Sequence, residues 1–169
     1  MKKTLSTLTL GLICSLTSLH AWAAQADHIK VENPFAREVP PTAPASASFM
    51  TLTNDSAQEI KLVQAYSDVA KTIELHTHTN DDGVMRMRKI DAITIPANTT
   101  VELKPGGLHI MLIGPFNPIK VGQTVEVNLE FVDGSRKMVT MPVKSFMAMQ
   151  PMQGGHKCGN GKCGSGMGH

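Results

Sequence analysis

Aromatic side chains are scarce in this chain, which has one Trp, one Tyr and five Phe in 169 residues. Stacking platforms for bases are therefore missing, and no basic stripe replaces them. The formal charge is only +2 and Lys2 and Lys3 account for it, so a nucleic-acid partner is excluded. Hydrolase signatures are absent too: the chain has neither a G-x-S-x-G elbow nor an H-E-x-x-H pair. The protein is not expected to be an enzyme. No internal repeat occurs, and from Ile29 onward no long apolar run recurs at the helical period. A helical bundle is thereby ruled out. Cysteine is nearly absent, with Cys14 near the start and Cys158 and Cys163 near the end. A blue-copper electron carrier needs a thiolate beside two imidazoles in a rigid plane. The body of the chain has no Cys to supply it.

At its start the chain has Lys2 and Lys3, an apolar run from Leu5 to about Leu19, and Ala21-Trp22-Ala23. These are the three parts of a secretory signal peptide, with cleavage expected after Ala23 or Ala24 and the periplasm as destination. An uncleaved anchor fits less well, because Ser, Thr and Cys interrupt a short apolar run and no stop-transfer pattern follows. A lipoprotein reading would lipidate Cys14, but Ile13 is bulky where a small residue is wanted. Residues 1–24 are accordingly set aside, leaving a single domain over 25–145 and a tail over 146–169. An oxidising compartment favours disulfides over free thiols.

The domain reads as short strands separated by turns, the pattern of a β-sandwich or barrel. Strands are expected over 29–32, closed by Asn33-Pro34, then over 45–53, 60–65, 70–79, 90–95, 99–103, 108–113 and 136–143. The clearest alternation is Val125, Val127, Leu129 and Phe131 against Glu126, Asn128 and Glu130. Asn54-Asp55-Ser56 is a turn, and Asn80-Asp81-Asp82-Gly83 is a strong hairpin signal. Met50 is expected in the core and His28 at the surface. Arg86, Arg88 and Lys89 read as a charged edge that blocks sheet-to-sheet pairing.

Candidate metal donors fall on these strands. His109 and Met111 alternate with Leu108, Ile110 and Leu112, so the aliphatics enter a core while His109 and Met111 share the other face. The 80–83 hairpin brings His76 near Met87. Met85 and His78 share faces with Met87 and His76 and stand as reserve donors. Two neutral thioethers and two imidazoles suit Cu(I) better than Zn(II), Mg(II) or Ca(II). They leave a bound ion its positive charge, as a carrier would.

The spacing His76-x10-Met87-x21-His109-x-Met111, with Gly83-Val84-Met85-Arg86-Met87-Arg88 and Gly106-Gly107-Leu108-His109-Ile110-Met111-Leu112, resembles the periplasmic copper chaperones called PCu(A)C. The likeness runs from about Ile29 to Val143 and includes the Val39-Pro40-Pro41-Thr42-Ala43-Pro44-Ala45-Ser46-Ala47 approach. It implies an all-β, cupredoxin-like Greek-key sandwich that binds Cu(I) near its surface through His76, Met87, His109 and Met111. It further implies delivery to an acceptor, such as the dinuclear copper centre of cytochrome c oxidase or another copper chaperone, by a monomeric protein not integral to the membrane. General copper tolerance is a competing role within copper homeostasis, and a metal-free interaction module a competing class.

Beyond Val143 the text changes. The tail carries His156, Cys158, Cys163, Met167 and His169 among glycines and has no Val, Ile or Leu. It cannot bury enough apolar surface to offset its ordering entropy, so it is expected to be disordered and to act as a second metal-binding arm. Its thiols suit Cu(I) and its imidazoles Cu(II). The residues do not choose between these, nor between metal binding and a Cys158–Cys163 disulfide.

Overall fold

Alternating side chains build nearly the whole folded body. In the computed structural model, which describes residues 24–81 and 83–145, a 3-10 turn at Gln25–His28 leads into ten strands. They are β1 (Ile29–Arg37), β2 (Ala45–Asn54), β3 (Ile60–Tyr66), β4 (Ala70–Asp81), β5 (Val84–Lys89), β6 (Ile93–Ile95), β7 (Thr100–Leu103), β8 (His109–Pro115), β9 (Thr124–Phe131) and β10 (Arg136–Lys144). Their lateral order is β5-β4-β8-β2-β1-β10-β9-β3-β6, with β7 paired to β2. A short parallel contact joins the two halves, where Ala36 and Arg37 meet Val143 and Lys144. Inward aliphatics from both halves share one core. This is the all-β, cupredoxin-like sandwich expected from the sequence.

The half containing β9 follows its pattern strictly. Val125, Val127, Leu129 and Phe131 are buried, and β10 answers with Val139, Met141 and Val143. Met138 has the opposite parity and is exposed. Asn54 ends β2 in a buried position. Its Oδ1 accepts the Ser56 amide at 2.9 Å, as the Asx turn requires, and its Nδ2 donates to the Gln58 carbonyl at 2.7 Å. Met50 is buried as expected, and the half-exposed His28 bonds Asp55 at 3.0 Å.

Two expectations fail for identifiable reasons. Asn33-Pro34 does not close β1. The strand continues to Arg37 through a bulge, in which the register passes from Glu32↔Thr51 to Phe35↔Phe49 and Asn33 takes a positive φ of 49°. The extra residue reverses parity, so Phe35 turns to the outer face beside Phe49 while Ala36 enters the core. The expected strand over 90–95 shrinks to Ile93–Ile95. The chain before it leaves the edge of β4 after the Ile90 amide bonds the Leu75 carbonyl, and Ile93 then pairs with Leu62 of β3.

Candidate metal centre

β8 carries buried side chains on both faces, and the one buried on the outer face is an imidazole. Ile110 and Leu112 are fully buried in the core, each contributing roughly 1.5–3 kcal/mol. His109, on the outer face, is only 2% exposed. It lies under the turn between β7 and β8, with the Phe49 ring 6.2 Å away. Gly106 takes a positive φ of 80° in that turn, a conformation glycine adopts without Cβ strain.

Strand register lays out the remaining donors on this outer face. β4 and β8 place His76 directly opposite His109, and Glu74 opposite Met111. β4 and β5 place His78 opposite Met87, and His76 opposite Lys89. The hairpin is the expected one, with Asp81 opposite Val84 and Gly83 at a φ of 84°. Counting back from this turn pairs Met87 with His78, so His76 is its diagonal neighbour, a separation of about 7–8 Å between backbones. Met85 lies two pairs nearer the tip, opposite Asn80, and is exposed. Arg86, Arg88 and Lys89 are exposed along the β5 edge, where Arg88 pairs with Asp81 and Lys89 with Glu74.

The two facing imidazoles have the same arrangement of one tied and one bare nitrogen. His76 Nε2 lies 2.9 Å from the Glu74 carboxylate. A carboxylate only accepts, so Nε2 carries the hydrogen, and whenever the ring is neutral Nδ1 keeps its lone pair. His109 Nδ1 donates to the Gly107 carbonyl at 2.9 Å, leaving its Nε2 lone pair free. Burial is the main cause holding His109 below the usual imidazole pKa, opposed by its bond to the Gly107 carbonyl, so the ring is neutral. Both bare atoms, His76 Nδ1 and His109 Nε2, are buried without a hydrogen-bond partner among the described residues. Each such atom costs about 1–3 kcal/mol, and metal-binding imidazoles characteristically tie one nitrogen to a carboxylate or carbonyl and offer the other. The Glu74 carboxyl sits below the ordinary carboxylate pKa because His76 first, and Lys89 second, bond to it.

Beside these rings lies a pocket of about 320 Å³ lined by His78, Met87, His109 and Met111, with Ala45, Ala47 and Phe49 forming part of its wall. The Pro105-Gly106 turn contributes another part. His78 was expected only as a reserve donor, yet it lines the pocket and His76 does not. Its ring centroid is 5.1 Å from that of His109, against 5.8 Å for His76. Among the described residues no three His, Cys, Asp or Glu side chains could together hold a metal ion. A cation held here would need the thioether sulfurs, which favour soft ions. Glu74 escaped the sequence reading, although its parity with His76 was a usable signal. His156, Cys158, Cys163, Met167 and His169, like the leader with Cys14, lie outside the described residues.

Comparison with known proteins places the chain among relatives of the same fold. Residues 29–143 match a family described as "Putative lipoprotein LpqE-like". A protein of Leifsonia xyli subsp. xyli named "Putative lipoprotein Lxx21020" is 33% identical over 148 residues, spanning 85% of this chain and 88% of that one. The solution structure of CuI-DR1885 from Deinococcus radiodurans is 40% identical, with a TM-score of 0.56 over 72% of this chain and 83% of that one. The copper-bound PCuAC domain from PmoF2 shares the fold at 22% identity, with a TM-score of 0.60 over 70% of this chain and 93% of that one. No described helix is long and apolar enough to cross a membrane.

Proposed function

This chain belongs to the LpqE-like family, and from that premise we propose that it is a copper chaperone that carries Cu(I) on His76, Met87, His109 and Met111. The observation that carries the reading is the pair of buried, bare ring nitrogens on His76 and His109, each with its other nitrogen already tied. The Cu(I) form of the Deinococcus radiodurans relative, 40% identical to this chain, supports the choice of ion. Donor softness supports it independently.

Carrying a metal differs from catalysis in what the site must provide. Transfer requires an ion reachable from outside and ligands an acceptor can replace one at a time. Met87 is 47% exposed on an edge strand, so its sulfur can be the first to let go. His109 and Met111 sit on the interior strand β8 and would hold the ion until the acceptor has engaged. Cytochrome c oxidase, at its dinuclear copper centre, is the acceptor proposed from the family resemblance. The tail residues His156, Cys158, Cys163, Met167 and His169 would capture ions, with Cu(II) an additional guest of the imidazoles.

Anaerobic Cu(I) titration of the mature protein, beside a form ending at Lys144, tests the reading. One equivalent retained by the shorter form and lost on His109→Ala or Met111→Ala is expected. Unchanged retention in both variants would remove copper from this face. Intense blue colour with Cu(II), dependent on Cys158 or Cys163, would instead favour an electron carrier.

For location, a cleaved leader and a periplasmic protein are proposed. The Leifsonia relative's name favours a second reading, a lipid-anchored protein with Cys14 as acceptor. Metabolic labelling with palmitate separates them: label lost on Cys14→Ser would establish the anchor.

A further inference from the structure

Besides the set proposed above the outer face carries two more donors, Met85, exposed and opposite Asn80, and His78, which differs from His76 in a specific way. By register His76 occupies the centre, directly opposite His109 and diagonal to both Met87 and Met111. Its side chain is nevertheless held away from the pocket, with Nε2 on Glu74 at 2.9 Å and the other Glu74 oxygen on Lys89 at 2.9 Å. Its bare Nδ1 is buried. His78 lines the pocket beside Met87, His109 and Met111. Its polar approach among the described residues is weak, because Nδ1 lies 3.4 Å from a Gly107 carbonyl that already accepts from His109 at 2.9 Å. Both rings are half-buried, but one is tied to a carboxylate outside the pocket lining and the other is loosely tied within it.

We propose that His78 is an exchange ligand: Cu(I) enters on His78, Met87, His109 and Met111, His76 replaces His78 in the stored form, and the reverse swap presents the ion to an acceptor. In each swap one copper–nitrogen bond forms as another breaks. Copper remains Cu(I), and no electron or proton is transferred, since a neutral ring donates a lone pair it already has. The tie between Glu74 and His76 sets the balance, keeping His76 poised and leaving the initial capture to His78. The proposal rests on the copper reading of this face.

The test uses the full chain with isotopically labelled histidines under anaerobic conditions. Ring signals of His76, His78 and His109 are followed on adding one equivalent of Cu(I), and transfer to bicinchoninate is timed by stopped flow. In the wild type the His76 and His109 signals are expected to shift in the stored form, and the His78 signal to move part of the way, because its ring exchanges onto the ion. His78→Ala is expected to slow transfer ~tenfold while changing equilibrium affinity by no more than about twofold, a split between rate and affinity. His78→Met, which restores a soft donor, is expected to recover most of the rate, and His76→Ala is expected still to load, with His78 and His109 signals both shifted. A stationary His78 signal with wild-type transfer in His78→Ala would overturn the proposal. So would complete loss of binding in His78→Ala and His78→Met, which would make His78 a fixed ligand. A stationary His109 signal in the wild type is a different failure, because it removes copper from this face altogether.

Discussion

The two faces of β8 obey one burial rule with opposite chemistry. Inward, Ile110 and Leu112 satisfy themselves by packing, and nothing about them asks for a partner from outside. Outward, His109 is buried nearly as completely but keeps a nitrogen with no partner. The inner face is a finished contact, and the outer face is finished only by something that accepts a lone pair. Stability and function are thus carried by adjacent residues of a single strand, a division that alternating side chains make possible.

Substitutions on each face can break this comparison. The largest effect expected is on copper: the double variant His109→Ala/Met111→Ala should abolish retention in the form ending at Lys144, while far-ultraviolet circular dichroism stays that of a β protein. On the inner face, Leu112→Ala should cost about 2–5 kcal/mol of stability, read from urea midpoints, and should leave the donors in place under conditions where the variant is folded. Equal copper loss from the inner and outer substitutions would refute the division.

Smaller effects sharpen it. Glu74→Gln should weaken Cu(I) binding roughly 10–100-fold, measured by chelator competition, because a neutral amide holds the His76 ring less firmly and no longer dictates which nitrogen carries hydrogen. The same carboxylate gives a pH signature. Its folded pKa is lowered from 4.5 by His76 and Lys89, so its stabilisation is present above that value and is lost as pH falls through the depressed one. Urea midpoints of wild type and Glu74→Gln should therefore differ above pH 4.5 and converge below it. Least of all, Ser48→Ala should raise stability by about 1 kcal/mol, since the Ser48 hydroxyl is buried without a partner on the β2 face opposite to Phe49. A loss of stability there would reveal a bond that this hydroxyl makes.

Much of this was legible in the residues because local rules govern it. Leu108 to Leu112 announces its two faces by alternation, Asn80 to Gly83 announces a hairpin, and Val125 to Phe131 announces a half-buried strand. Softness and parity marked His76, Met87, His109 and Met111 as candidate donors with His78 and Met85 beside them, and only the family resemblance preferred the first four. The bulge at Asn33-Pro34 was not legible, since a turn and a bulge use the same residue types. That bulge decides that Phe35 joins Phe49 on the outer face. The prominence of His78 was hidden too, because it follows from the pairing of residues 81 and 84 and from the orientation of the His76 ring toward Glu74.

The sequence by itself determined which side chains could share a face, because the pleat of a strand fixes a period of two and leaves no other choice. It also determined the softness of the donors, which is a property of sulfur and imidazole wherever they stand. Tertiary structure alone decided which imidazole is held back and which meets the pocket. That outcome depends on ladders between strands distant along the chain and on a carboxylate two residues away, and no local periodicity encodes either.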